Sequence, residues 1–120
     1  MENEQEVMRL KAYIGFAQKK RALFVGRKME ERLTRGRIRL VVFTPTCSEK
    51  NEEKRKNHFK DNEDLFFIRY QGNLPLNLIA GYEKVSALGI SDPHLAKAIL
   101  ETIKEEENEE DKHVEEKQKQ

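Results

Sequence analysis

The sequence predicts an α/β fold in which helices cover both faces of a largely buried sheet. Three observations predict it. Segments with apolar residues at spacings of three and four alternate with short apolar runs bounded by Gly, Pro or polar turn residues. The central runs are apolar on both faces, as in strands covered by two layers. The alternation of helix and strand continues from the first segment to the last, which places helices on both sides of one sheet.

The first helix is expected over about Glu4 to Lys20, where Val7, Leu10, Tyr13, Ile14 and Ala17 form one apolar stripe. Gly15 interrupts it at a cost of about 1 kcal/mol relative to Ala, which suggests room for a close neighbour. Ala22-Leu23-Phe24-Val25 reads as a short strand. Gly26 opens a second helix, Arg27 to about Arg35, with Met29 and Leu33 facing inward and Gly36 as a left-handed C-cap. Ile38–Thr44 is the clearest strand, and Pro45 stops it. Ser48 is placed to cap a third helix, reaching about Phe59, whose polarity leaves it largely exposed. Leu65–Tyr70 is a second strong strand, with Leu65–Arg69 as its centre. Pro75 starts a short helix, Leu76 to Ala80, that ends at Gly81. Val85–Ile90 is a further strand, centred on Val85–Gly89. Ser91-Asp92-Pro93 begins the last helix, with Leu95, Ala96, Ile99, Leu100 and Ile103 toward the core.

Bulk properties narrow the function. The chain has 120 residues, 38% of them charged, which suits one domain and a tail. Residues 1–104 are read as the domain. Residues 105–120 lose the apolar period and are read as an acidic, charged tail, either a frayed helical extension or a disordered segment. That tail either keeps the protein soluble or folds back over a basic surface. One cysteine excludes an internal disulfide framework and suits a reducing compartment. No stretch approaches the roughly 20 apolar residues of a membrane span, and the acidic N-terminus has no signal-peptide core. The expectation is a cytoplasmic protein without a membrane role.

Charge is the most informative feature. Nine basic residues and two acidic ones lie between Lys19 and Arg39. The first six residues carry −3 and residues 105–120 carry −5, so the net +1 of the chain leaves residues 7–104 at +9. Such a body suggests a polyanion partner, the plainer reading being a solvated helix face. The sharpest candidate is Gly26 with its basic helix. A glycine at a helix start exposes unpaired N–H groups, and the dipole favours an anion there. Arg27, Lys28 and Arg32 surround that point.

Catalytic constellations are sparse. Cys47 stands between a strand and a helix start, where a thiolate can be stabilised, but a small buried thiol is the simpler role. His58, His94 and His113 share no ligand spacing with each other or with Cys47, so no metal is expected. His94 fits the first turn of a capped helix. No Walker-type phosphate loop and no GxGxxG occur. The sequence therefore implies no enzyme, no cofactor and no small-molecule substrate.

The ordered set of segments resembles a known family. Ile14-Gly15-Phe16-Ala17-Gln18-Lys19-Lys20-Arg21-Ala22-Leu23-Phe24-Val25-Gly26 is similar to the opening of small bacterial proteins related to ribosomal proteins L-seven-Ae and L-thirty-e. Arg35-Gly36 with Arg39-Leu40-Val41-Val42, the helix start at Ser48, Leu78-Ile79-Ala80-Gly81, Ala87-Leu88-Gly89-Ile90-Ser91-Asp92 and Ala96-Lys97-Ala98-Ile99-Leu100 follow in register, over about residues 8–104. The resemblance implies a three-layer α/β/α sandwich with a mixed four-stranded sheet, and binding of kink-turn or related bulged RNA, as in ribosome-associated ribonucleoproteins. Members use a Gly-x-Asn-Glu-x-x-Lys pattern. Gly26 matches its glycine, Lys28 and Met29 stand at the Asn and Glu positions, and Arg32 stands at the Lys. The phosphate-directed half is thus kept and the base-reading pair is replaced. The family's second contact corresponds to Gly81-Tyr82-Glu83-Lys84. There Tyr82 either stacks on a base or packs over the short helix, and Lys84 meets phosphate. The implied RNA-binding residues are Gly26, Arg27, Lys28, Arg32, Arg35, Arg37, Tyr82 and Lys84. The alternative is the same fold used as a protein-interaction module with no RNA role.

Overall fold

The computed structural model describes residues 4–105. Helix α1 (Glu4–Lys19) leads to β1 (Leu23–Phe24), α2 (Gly26–Thr34), β2 (Leu40–Phe43), α3 (Glu49–His58), β3 (Phe66–Arg69), α4 (Leu76–Ile79), β4 (Ala87–Ile90) and α5 (residues 93–105). The four strands form one mixed sheet in the order β1-β4-β2-β3. β4 is antiparallel to both β1 and β2, and β2 is parallel to β3. Leu23, Ile90, Leu40 and Phe66 stand in one row across it.

Side chains along the inner strands divide by the period of two. Leu40, Val42, Leu88 and Ile90 face a core built with Leu10, Ile14 and Ala17 of α1, Leu76 of α4, and Ala96, Ile99 and Ile103 of α5. Val41, Phe43 and Ala87 face the other way, against Met29 and Leu33 of α2. The sheet therefore lies between α1, α4 and α5 on one side and α2 and α3 on the other. This is the three-layer arrangement that alternating segments require.

The strands are shorter than the apolar runs, and the reasons are local. Ala22 closes the end of α1, its N–H donating to the Ala17 carbonyl at 2.8 Å, and Val25 serves as the extended N-cap of α2. Only Leu23 and Phe24 remain for β1. Around β2, the Arg39 N–H still donates to the Ile90 carbonyl at 2.8 Å and the Thr44 N–H to the Ser86 carbonyl at 2.9 Å. Pairing thus outlasts regular strand geometry by a residue at each end. Leu65 belongs to a turn, donating to the Asn62 carbonyl at 3.2 Å.

Two glycines have different fates. Gly15 faces no close neighbour, because an added Cβ would meet nothing within 4 Å, which corrects the expectation of a tight approach. The close approach is at Gly89 in β4, where a Cβ would sit 2.7 Å from Met29 Cγ. Gly89 is what allows α2 to lie down on the sheet.

Helix α3 has no buried residue. Ser48 caps it, its hydroxyl accepting from the Asn51 N–H at 3.1 Å. Charge attaches it to the body. Arg69 of β3 donates through Nε to Glu52 and through Nη2 to the Cys47 carbonyl at 2.7 Å, and Glu52 also accepts from Lys56 at 2.8 Å. Arg55 bonds Glu30 of α2 at 2.6 Å. At the last helix, Asp92 accepts from the His94 and Leu95 N–H groups at 2.9 and 3.0 Å and from Lys20 at 2.5 Å. The helix includes Glu105, which pairs with Arg9 at 3.5 Å. The acidic tail beyond it, with His113, lies outside the described residues.

Candidate nucleic-acid interface

β1 runs out of the sheet into Gly26, and the segment Gly81–Ser86 runs into β4 beside it. Because Phe24 pairs antiparallel with Gly89, both segments leave the sheet at the same end. The Gly26 turn and the Tyr82–Lys84 loop therefore flank one edge of the molecule.

The turn is shaped to expose charge and backbone donors. Gly26 takes φ +57°, a left-handed value that suits glycine, and open space surrounds it. Val25 provides no side-chain cap, so the first-turn N–H groups of α2 have no side-chain acceptor. Arg27 and Lys28 are exposed. Arg32, one turn on from Lys28, is half-buried with its guanidinium 4.1 Å above the Phe24 ring. Met29, at the position of a base-reading residue in the resembled pattern, is 2% exposed in the core and directed at Gly89. It cannot reach a ligand.

The second loop is held by its own hydrogen bonds. Gly81, at φ +91°, ends α4 with its N–H donating to the Leu78 carbonyl, while the Tyr82 N–H donates to the Asn77 carbonyl at 2.8 Å. The Asn77 side-chain amide donates to the carbonyls of Tyr82 and Glu83, both at 3.1 Å. Tyr82 is 38% exposed, not sealed over the short helix, and Lys84 is exposed. Asn77 was absent from the sequence reading. A single Asn within the short, otherwise apolar helix Leu76–Ile79 carries no local signal that its amide fastens the following loop.

Arg35 and Arg37 are not beside Gly26. They follow the C-terminus of α2, where the Gly36 N–H donates to the Leu33 carbonyl and the Arg37 N–H to the Arg32 carbonyl at 2.9 Å. Nine residues of α2 at 1.5 Å each carry them about 13 Å away, to the opposite end of the sheet. The eight residues predicted together thus separate into Gly26, Arg27, Lys28, Tyr82 and Lys84 at one end, Arg35 and Arg37 at the other, and Arg32 between them.

The cysteine and histidines do not converge. Cys47 is buried before α3, and His58 ends that ten-residue helix, about 15 Å along its axis. Both line a groove of about 710 Å³ between α2 and α3, together with Glu30, Asn51 and Arg55. Among the described residues no group of three His, Cys, Asp or Glu is placed to hold a metal ion. No helix among them is long and apolar enough to cross a membrane.

No protein-family model matches the sequence, and no curated protein matches it either. Solved structures do. A protein of unknown function from Bacillus halodurans C is similar with a TM-score of 0.70 and 14% identity, over 80% of this chain and 97% of that one. The 15.5kD RNA-binding protein of Giardia lamblia is similar with a TM-score of 0.58 and 15% identity, over 88% of this chain and 90% of that one. The mixed α/β fold with its four-stranded sheet is of the L-seven-Ae type.

Proposed function

We propose that this chain is a non-enzymatic RNA-binding protein that takes structured RNA, kink-turn-like or bulged, against the Gly26 turn and the Tyr82–Lys84 loop. The observation that carries the reading is the convergence of two glycine-ended turns, one basic and one with an exposed aromatic, at one end of the sheet. Exposed donors and cations suit phosphate, and Tyr82 suits an unstacked base. The RNA-binding activity of a protein with the same fold supports it. A ribosome-associated, cytoplasmic role belongs to the same proposal.

Arg27, Lys28 and Arg32 supply affinity in this reading. Replacing all three with Ala weakens binding of a bulged RNA at fixed salt. It also lowers the slope of log K against log salt by about 2 to 3, since each phosphate contact releases about 0.7–0.9 counterion. A triple variant that binds as the parent does refutes the site. With Lys28 and buried Met29 at the base-reading positions, discrimination between a kink-turn and a plain bulged duplex is small. The borrowed scale is about 1–3 kcal/mol per bidentate base contact. A measured preference of a thousandfold or more, about 4 kcal/mol, would show that other residues read the bases.

A further inference from the structure

The far end of the sheet carries its own cationic surface. Ser91 donates to the Ala22 carbonyl, and Arg39 donates to the Ile90 carbonyl, so Ala22, the end of β4 and Arg39 lie side by side. β1 and β2 are two strand spacings apart, about 10 Å. Arg21 precedes β1 and Arg37 precedes β2 at this same end, with Arg35 at the end of α2 next to them. All three are exposed. Their basic neighbours are already matched: Lys20 pairs with Asp92 at 2.5 Å and Arg39 with Asp64 at 3.5 Å. Among the described residues, Arg21, Arg35 and Arg37 make no ion pair.

Arg21 is also held in an unfavourable backbone conformation. It is the one described non-glycine residue with positive φ, at +58°. Its N–H donates to the Gln18 carbonyl and the Ala22 N–H to the Ala17 carbonyl, the same helix-ending motif that Gly36 and Gly81 complete elsewhere in the chain. Two of three such positions are glycine, and the third is an arginine that faces solvent. An exposed side chain gains no packing from this, so the strain points to a use for the guanidinium.

A bridge joins this surface to the Gly26 end. Lys28, Arg32 and Arg35 follow at spacings of four and three, one stripe along α2. Arg32 lies over Phe24, which sets the stripe on the β1 side. On the α3 side, Glu30 is occupied by Arg55. Glu31, exposed next to the stripe, is its acidic interruption.

We propose that Arg21, Arg35 and Arg37 form a second phosphate-contacting surface, reached along α2, that tracks the helical stem flanking the RNA element held at the Gly26 end. This rests on the RNA-binding reading and extends it from a point contact to a track. A rigid run of spaced cations fits the regular phosphate ladder of a stem rather than a base edge.

The test uses two bulged RNA hairpins, one with a short stem and one with that stem extended by a full helical turn. The full chain is expected to bind the extended RNA more tightly, with a salt slope steeper by about 2 to 3. Arg21→Gln/Arg35→Gln/Arg37→Gln loses that gain and binds the short hairpin as the parent does. Arg21→Gly alone loses part of the gain while raising the unfolding temperature, and Glu31→Gln increases the gain. The proposal is overturned if stem extension leaves parent binding unchanged, or if the triple variant keeps the gain. Equal weakening on both RNAs also overturns it, by assigning the arginines to the first site. Binding of neither hairpin by the parent refutes the RNA reading itself. Displacement from the short hairpin's complex being absent while poly-glutamate binds only when the three arginines are intact assigns the surface to an acidic polypeptide and overturns the track.

Discussion

Gly89→Ala tests whether α2 is seated by the contact between one glycine and one methionine. The added Cβ would lie 2.7 Å from Met29 Cγ, 3.1 Å from its Sδ and 3.3 Å from Ile38 Cδ1. Carbon atoms settle at about 3.5–4.0 Å, so Met29 must retreat by about 1 Å within a core where it is 2% exposed. Met29 and Leu33 are the buried residues of α2, so half of its apolar anchorage is displaced. Overpacking costs about 1–3 kcal/mol, offset by about 0.4–1 kcal/mol from the stiffer unfolded chain. A net loss of about 1–2 kcal/mol lowers Tm by about 5–15 °C for a domain of this size. Thermal and urea unfolding measure it. In a Met29→Ala background the same glycine change should cost less, a coupling of about 1 kcal/mol in a double-mutant cycle. If Gly89→Ala stays within about 0.5 kcal/mol of the parent, or the two changes are additive, α2 is not held as described.

The charged attachments of α3 make further predictions. Arg69→Met leaves Glu52 with Lys56 alone and removes the donor to the Cys47 carbonyl. The expected loss is about 2–4 kcal/mol, with amide exchange accelerated first in Glu49–His58. Uniform acceleration across the chain would refute a local anchor. Burial pushes the Glu52 carboxyl up, but hydrogen bonds and charge from Lys56 and Arg69 outweigh it and hold the group below its ordinary 4.5. Lys20, with the Leu95 and His94 amides, likewise holds Asp92 below 3.8, against the upward push of burial. Both carboxyls therefore contribute stability that is present above these ordinary values and lost as pH falls through the lower folded ones. An acid titration of urea midpoints should fall below about pH 4.5 in the parent and fall less steeply in Arg69→Met. Ser48→Ala removes the cap bond to Asn51 and costs about 1 kcal/mol, read by the urea midpoint with an unchanged slope.

Local chemistry wrote the elements and their ends into the sequence. The apolar runs Leu40–Phe43 and Ala87–Ile90 read as buried strands because apolar residues on both faces suit no other place. Ser48, Gly36, Gly81 and Asp92 marked helix ends because capping is a contest among neighbours within four residues. The charge cluster and the Gly26 turn were legible for the same reason. What the cluster looks like in space was not. The tertiary structure alone set the strand order β1-β4-β2-β3, placed the Tyr82 loop and the Gly26 turn at one end of the sheet, and placed Arg35 and Arg37 at the end where Arg21 precedes β1. It also paired Arg69 with Glu52 and Gly89 with Met29. The last two pairs lie 17 and 60 residues apart along the chain. Periodicity and capping report only the few residues around a position, whereas the choice of partner is made by packing two helical layers on one sheet.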